Sequence, residues 1–318
     1  MRITLIHNPG AGRTDHRGKD ELVALLEDAG HAVHYQSSKD DDWDEALDAP
    51  ADLVVAAGGD GTVGRVARRM AGRNVPVAAL PAGTANNIAR TLGLVDGTPE
   101  ELVRGWEGAR RIRLDIGLAA GPWGKRSFVE GVGVGLFAAL LARSDETPPG
   151  KKPKKAKGAH AGKAVDGALR RLSECAEDCE ALEVAARLDG KDISGRYLLL
   201  EAVNLRYVGP SLFLAPDAEP GDGLLDVVLV GEAERPRLIH YLDSWQDNRE
   251  RLAVLPTLRG RKLELEWTGV PLHIDDKLRP KKSAGPEEIA GMVQVSVGAA
   301  AVEFLLPAVR KRSETGGM

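Results

Sequence analysis

Two glycine-bearing loops, each set between a short apolar run and a helical stretch, constrain this chain more than any other feature. Leu53-Val54-Val55-Ala56-Ala57 leads into Gly58-Gly59-Asp60-Gly61-Thr62. Val75-Pro76-Val77-Ala78-Ala79-Leu80 leads into Pro81-Ala82-Gly83-Thr84-Ala85-Asn86-Asn87. Val63 to Ala71, between them, reads as one helix. The order is strand, loop, helix, strand, loop, helix. A right-handed crossover makes the strands parallel and brings both loops to one sheet edge. Such an edge suits a phosphate-bearing ligand. Backbone N–H groups approach closely where no Cβ intervenes, and helix N-termini favour anions.

The surrounding pattern extends this unit. Residues 2–7 read as a buried strand ending in the loop Asn8-Pro9-Gly10-Ala11-Gly12-Arg13, which should share the same edge. A helix around Glu21–Leu26 stops near Gly30, and Ala32 to Gln36 alternates like a strand. Further helices are expected around 84–92 and 99–107. The first half is therefore an α/β domain, a parallel sheet with helices on both faces. The second half changes character. Arg126–Val134, Leu182–Leu188, Arg196–Val203, Leu224–Val230, Lys262–Trp267 and Val293–Val297 read as strands without regular helices between them. Turns such as Asp189-Gly190 and Gly221-Asp222-Gly223 separate several of these. A mostly antiparallel β domain is expected, with helices only near 165–180 and 234–252. Ala299 to Leu306 reads as a last strand returning to the first domain. The expected division is 1–118 with about 299–309, then 119–298, a lysine-rich loop at 144–163 and a tail at 310–318.

Composition narrows the function classes. The chain has 318 residues, which suits two domains. Aromatics make up only 4 %, which argues against stacking on single-stranded nucleic acid, and a net charge of −4 gives no general attraction to polyanions. No nucleic-acid partner is expected. Met1 leads straight into a strand with no signal-peptide pattern, and no apolar run approaches the about 20 residues of a membrane span. A cytoplasmic protein is expected, touching a membrane at its periphery at most. Cys175 and Cys179, four apart on a helix, read as ordinary thiols in a reducing compartment. In the loop at 144–163, Lys151, Lys152, Lys154, Lys155 and Lys157 follow Pro148-Pro149. They read either as a basic patch for anionic head groups or as a solvated loop.

Asp60 sits among the glycines of the first loop. Beside a bound phosphate it needs a cation between them, or a proton to take from an attacking hydroxyl. Alternatively it only satisfies turn N–H groups. Thr62 suits the cap of a helix starting at Val63. Arg65, Arg68 and Arg69 follow on that helix, facing either phosphate or solvent. His7 and His273 have no ligand partners at metal spacing and read as structural.

With these motifs in place, the chain resembles the diacylglycerol kinase catalytic-domain family, within the larger group that includes NAD kinases. The likeness rests on Asn8-Pro9-Gly10-Ala11-Gly12, Gly58-Gly59-Asp60-Gly61-Thr62, Gly83-Thr84-Ala85-Asn86-Asn87, Leu114-Asp115-Ile116-Gly117, and Ala215-Pro216 followed by Asp222-Gly223-Leu224-Leu225-Asp226. It implies an ATP- and Mg²⁺-dependent lipid kinase of two domains. ATP would lie in the cleft between them, its phosphates on Gly58, Gly59, Gly61, Thr62, Gly83, Thr84, Asn86 and Asn87, with Asn8 nearby. Asp60 would be a catalytic or metal-organising acid, Asp115 part of an acidic network, and Asp222 a metal or structural position. The acceptor would be a membrane lipid hydroxyl, foremost that of diacylglycerol. By resemblance alone, a homodimer through the β domain is also allowed.

The chain departs from the family pattern in three places. Asn87 stands where an acid is usual, and Glu130 where asparagine is frequent. Asp275-Asp276-Lys277 stands where the family has Asp-Gly-Glu, whose glutamate is taken as general base. A lysine does not replace a carboxylate base unless its pKa is strongly lowered. Asp275 or Asp276 would then act, Asp276 being nearer in register, or the base lies elsewhere. Three readings remain: a diacylglycerol kinase, a kinase for sphingosine or another lipid, and a catalytically silent nucleotide- or lipid-binding protein. A Rossmann oxidoreductase fits poorly, because no GxGxxG with a ribose-binding acid is present.

Overall fold

The computed structural model describes residues 1–12, 17–146, 161–247 and 254–307. Most of the 144–163 loop and the whole 310–318 tail lie outside the described residues. The chain passes from one compact unit to the other between Arg113 and Leu114, and back between Ala301 and Val302.

In the first unit, β1 (Arg2–His7), β2 (Ala32–Ser37), β3 (Leu53–Gly58) and β4 (Val77–Pro81) form a parallel sheet in the order β2-β1-β3-β4. The central strands β1 and β3 are buried along nearly their whole length, as near-continuous apolar runs require, and β2 at the edge is only half-buried. The connecting helices are α1 (Lys19–Asp28), α2 (Asp60–Met70), α3 (Asn87–Thr91) and α4 (Pro99–Arg104). Val63, Val66, Ala67 and Met70 of α2 are buried, a stripe at i, i+3, i+4 and i+7. Arg65, exposed, and Arg69, half-buried, are both engaged by the segment after β2. Arg65 stacks over Trp43 at 4.1 Å and donates to Ser38 O, while Arg69 pairs with Asp48, so together they pin the segment after β2.

The second unit is antiparallel throughout its described strand pairs. Its strands are the greater part of β5 (Arg110–Gly121), then β6 (Gly124–Phe128), β7 (Gly131–Gly135), β8 (Leu182–Leu188), β9 (Lys191–Asp192), β10 (Gly195–Val203), β11 (Leu225–Gly231), β12 (Thr257–Gly260), β13 (Lys262–Trp267), β14 (Leu272–Ile274) and β15 (Lys277–Arg279), and the first part of β16 (Gly291–Leu306). They run in the order β15-β14-β7-β10-β8-β13-β16, with β11 and β12 branching from β10. α5 (Leu136–Glu146), α6 (Ala161–Asp178) and α7 (Arg235–Asp247) pack over one face. Leu169, Leu172, Cys175 and Ala176 form the buried side of α6, and Cys179 follows just past its end, so the two cysteines are free core thiols whose pKa burial pushes up.

Four expectations need correction. α2 begins at Asp60, so Gly59 occupies its cap position and Thr62 lies inside the helix. The strand expected over Arg126–Val134 is two strands, broken at Val129-Glu130. Val293–Val297 and Ala299–Leu306 are one continuous strand, β16. β5, absent from the expected strands, forms a hairpin with β6 across Pro122-Trp123.

Candidate active site

In the first unit, the loops after β1, β3 and β4 emerge together at the C-terminal ends of parallel strands, where open α/β sheets bind ligands. The glycines there have different reasons. A Cβ on Gly59 would stand 2.9 Å from Gly83 Cα, and one on Gly83 would stand 2.8 Å from Asn86 Oδ1. A Cβ on Gly58 would strike the Thr62 side chain. Gly59 and Gly83 are therefore glycines because the two loops touch backbone to backbone, and Gly58 because the Thr62 side chain fills its Cβ position. Gly61 alone among them is exposed, with open space where its Cβ would point. Ala82 N–H donates to Gly58 O, closing the loop pair.

Asp60, the first residue of α2, is partly buried and reaches across to the second loop. Its Oδ1 accepts from Ile88 N–H at 3.0 Å. Burial pushes its carboxyl above the usual range, opposed by the backbone N–H groups of Ile88, Asn87 and Asn86. The turn-satisfying role is thus built: Asp60 sits at the amino end of α3. Asn86, buried and left-handed at φ 54°, clasps its own loop, accepting from Gly83 N–H and donating to Gly83 O, each at 2.9 Å. Asn87 is buried, while Thr84 is half-exposed. Asn8 Oδ1 accepts from Gly10 N–H at 3.0 Å, and Asn8 N–H donates to Ala57 O, tying the first loop to the end of β3. His7 is buried against Tyr35.

The remaining site candidates lie in the second unit. Asp115, fully buried on β5, accepts from Gly223 N–H at 2.8 Å, and its own N–H donates to Pro220 O. It fixes the segment carrying Asp222. Asp222 accepts from Leu224 N–H and forms an ion pair with Arg259. Arg259 Nε also lies 3.3 Å from Asp226 Oδ1. Burial pushes Asp226 up to about 6; Asp222, Asp217 and Glu219 add repulsion that Arg259 offsets only in part. Neither Asp226 nor Arg259 stood out as a site residue in the sequence. The alternation of β11 and β12, which pairs Asp226 with Arg259 across strands, is the signal that could have found them.

Asp275 and Asp276 differ sharply. Asp275 adopts φ 50°, and its carboxylate accepts from Glu130 N–H at 2.9 Å, Val129 N–H at 3.1 Å and Gly131 N–H at 3.3 Å. It is the clasp that breaks the β6–β7 strand. Asp276 is exposed and paired with Lys277 Nζ at 2.7 Å. Among the described residues, no three carboxylate, imidazole or thiol side chains converge into a metal cage. The donors present fit a magnesium ion carried in by phosphates, which takes one or two protein carboxylates and otherwise phosphate and water.

The sequence profile of the diacylglycerol kinase catalytic domain matches residues 2–119, and that of the YegS C-terminal NAD kinase beta sandwich-like domain matches residues 165–296. By these two matches the chain resembles the diacylglycerol kinase catalytic-domain family. Among its relatives, a diacylglycerol kinase of Mycobacterium tuberculosis is 25 % identical over 296 residues, covering 86 % of this chain and 88 % of that one. A protein of Klebsiella pneumoniae named "Probable lipid kinase YegS-like" is 29 % identical over 257 residues, covering 76 % and 77 %. The crystal structure of a diacylglycerol kinase from Bacillus anthracis shares the two-domain fold, with a TM-score of 0.63 at 17 % identity over 96 % of this chain and 97 % of that one. The resemblance supports a kinase role. No helix among the described residues is long and apolar enough to cross a membrane.

Proposed function

We propose that this protein is an ATP- and Mg²⁺-dependent lipid kinase that phosphorylates a lipid hydroxyl, foremost that of diacylglycerol, at a membrane surface it contacts peripherally. The observation that carries the reading is the locked pair of glycine loops with Gly61 alone facing open space. Thr62 and Val63 N–H already donate to Gly59 O, so the N–H of Gly61, in the first turn of this eleven-residue helix, is the donor we assign to a phosphate oxygen there. Mg²⁺-ATP supplies a phosphoryl group with neutralised charge, and positioning supplies most of the remaining rate. Asp60 holds the two loops in register and keeps a carboxylate beside the phosphates. Asp276 is assigned as acceptor of the lipid hydroxyl proton, since Asp275 is occupied by three N–H groups.

One observation favours a second reading, a silent nucleotide- or lipid-binding protein: Lys277, which stands where the family has a glutamate, occupies Asp276 Oδ2 at 2.7 Å. Transfer of labelled γ-phosphate from Mg²⁺-ATP into mixed micelles separates the two. Diacylglycerol, sphingosine, ceramide and monoacylglycerol are offered in turn, with Asp60→Asn as control. Label in one lipid, lost in the variant, is expected. ATP binding with no labelled lipid would favour the silent protein.

A further inference from the structure

Glu201 on β10 and His273 on β14 flank Gly133 of β7, which pairs with both in register. Their side chains meet above it, His273 Nε2 lying 2.8 Å from Glu201 Oε2, with Glu201 1 % and His273 7 % exposed. The Glu201 carboxylate lies over the β7 backbone. A Cβ on Gly131 would come 2.9 Å from Glu201 Oε1, and one on Gly133 would overlap Oε2 outright. The run Gly131-Val132-Gly133-Val134-Gly135 is thus the floor of a buried ionic dyad, not a phosphate loop.

The dyad's other end holds the 275–277 turn. His273 Nδ1 lies 2.8 Å from the carbonyl oxygen of Asp275. A carbonyl only accepts, so Nδ1 carries a proton. Nε2 faces a carboxylate, so one further proton lies between Nε2 and Oε2. Removing it leaves a nitrogen lone pair against a carboxylate inside the core, with no water to separate them. We propose that the proton held between His273 and Glu201 sets the position of the 275–277 turn and thereby gates phosphoryl transfer by pH; the gating rests on the kinase reading above. His273 is a positioning residue that acts through Asp275, whose carboxylate in turn fixes Val129–Gly131.

The charged groups facing His273 are Glu201 from β10 and Asp275 from the turn. β7 offers only glycine, β15 places Leu278 opposite, and α5 brings the Phe137 ring at 6.1 Å. Burial alone would lower the imidazole pKa; Glu201 and Asp275 outweigh it and raise it. A raised histidine pKa contributes stability that is complete below about 6.5 and is lost as pH rises through the folded value. The turn is therefore held on the acid side of the folded midpoint and released on its alkaline side.

The test uses the full chain. Side-chain NMR of His273 gives the dyad midpoint, and the amide signals of Asp275 to Lys277 are followed over the same pH range. Lipid phosphorylation is measured in parallel. Expected are a midpoint above 6.5, turn amides that move with it, and log kcat falling with a slope of about −1 per pH unit beyond it, at constant KM for ATP. Glu201→Gln should move the amide transition and the kcat decline together to lower pH. Should that variant not fold, the wild-type midpoints alone decide. Turn amides that stay still while His273 titrates would overturn the proposal, as would a kcat decline at an unrelated midpoint. Turn amides that follow His273 in a protein that labels no lipid at any pH would uphold the positioning and overturn the gating together with the kinase reading.

Discussion

Gly61 and Gly83 look alike in the sequence and differ in physical cause. Gly83 is glycine because Gly59 and Asn86 occupy its Cβ position, and Gly61 sits in the open at the start of α2. Gly83→Ala should therefore cost roughly 1–3 kcal/mol or more in urea denaturation, since no flexible side-chain end can yield. Gly61→Ala should leave the denaturation midpoint nearly unchanged yet raise KM for ATP. Equal losses of stability in both variants would contradict this division. Asp226 offers a separate residue-scale outcome. Its folded pKa of about 6 lies above the unfolded value, so its charge destabilises the fold above pH 6, and the penalty disappears as pH falls toward 4. Asp226→Asn should be more stable than wild type at pH 7.5, with the gain vanishing near pH 4. The glycine loops were legible from residue type alone. The dyad was not, because Glu201 and His273 are 72 positions apart and meet only through the order β14-β7-β10.

At the scale of elements, periodicity carried the reading where an element has one buried face. The stripes on α2 and α6 and the continuous apolar runs of β1 and β3 are of this kind. It failed where a tertiary contact overrode the local pattern. Residues 126–134 alternate well enough for one strand, yet Asp275 clasps Val129–Gly131 and breaks it. The β5–β6 hairpin shows a similar dependence. Gly117 pairs with Phe128, and a Cβ there would enter the fully buried Phe128 ring. Gly117→Ala should lower the melting temperature by several degrees, on the order of 1–3 kcal/mol of overpacking. A melting temperature equal to wild type would mean that the ring is free to move. The motif Leu114-Asp115-Ile116-Gly117 thus has two local reasons: Asp115 ties down the 220–223 segment, and Gly117 seats Phe128.

At the scale of the whole molecule, each unit depends on a strand delivered late in the chain. β16 begins in the second unit and ends in the first, where Phe304, fully buried, pairs with Val77 of β4. Phe304→Ala should cost about 3–5 kcal/mol. A chain ending at Ala301 should show protease-sensitive β3 and β4 by limited proteolysis and mass spectrometry, and intact resistance there would contradict the dependence. The sequence by itself determined the parallel first unit, the antiparallel second unit and the resemblance to the kinase family. Apolar period, glycine placement and short motifs are local properties that survive without knowing what packs where. Only the tertiary structure decided which glycines serve packing and which face open space, that Asp275 is a backbone clasp while Asp276 is an exposed partner of Lys277, and that a buried histidine and glutamate share a proton above Gly133. Those are contacts between residues far apart in the chain, and a carboxylate's chemistry depends on which N–H groups and charges surround it once the strands are in register.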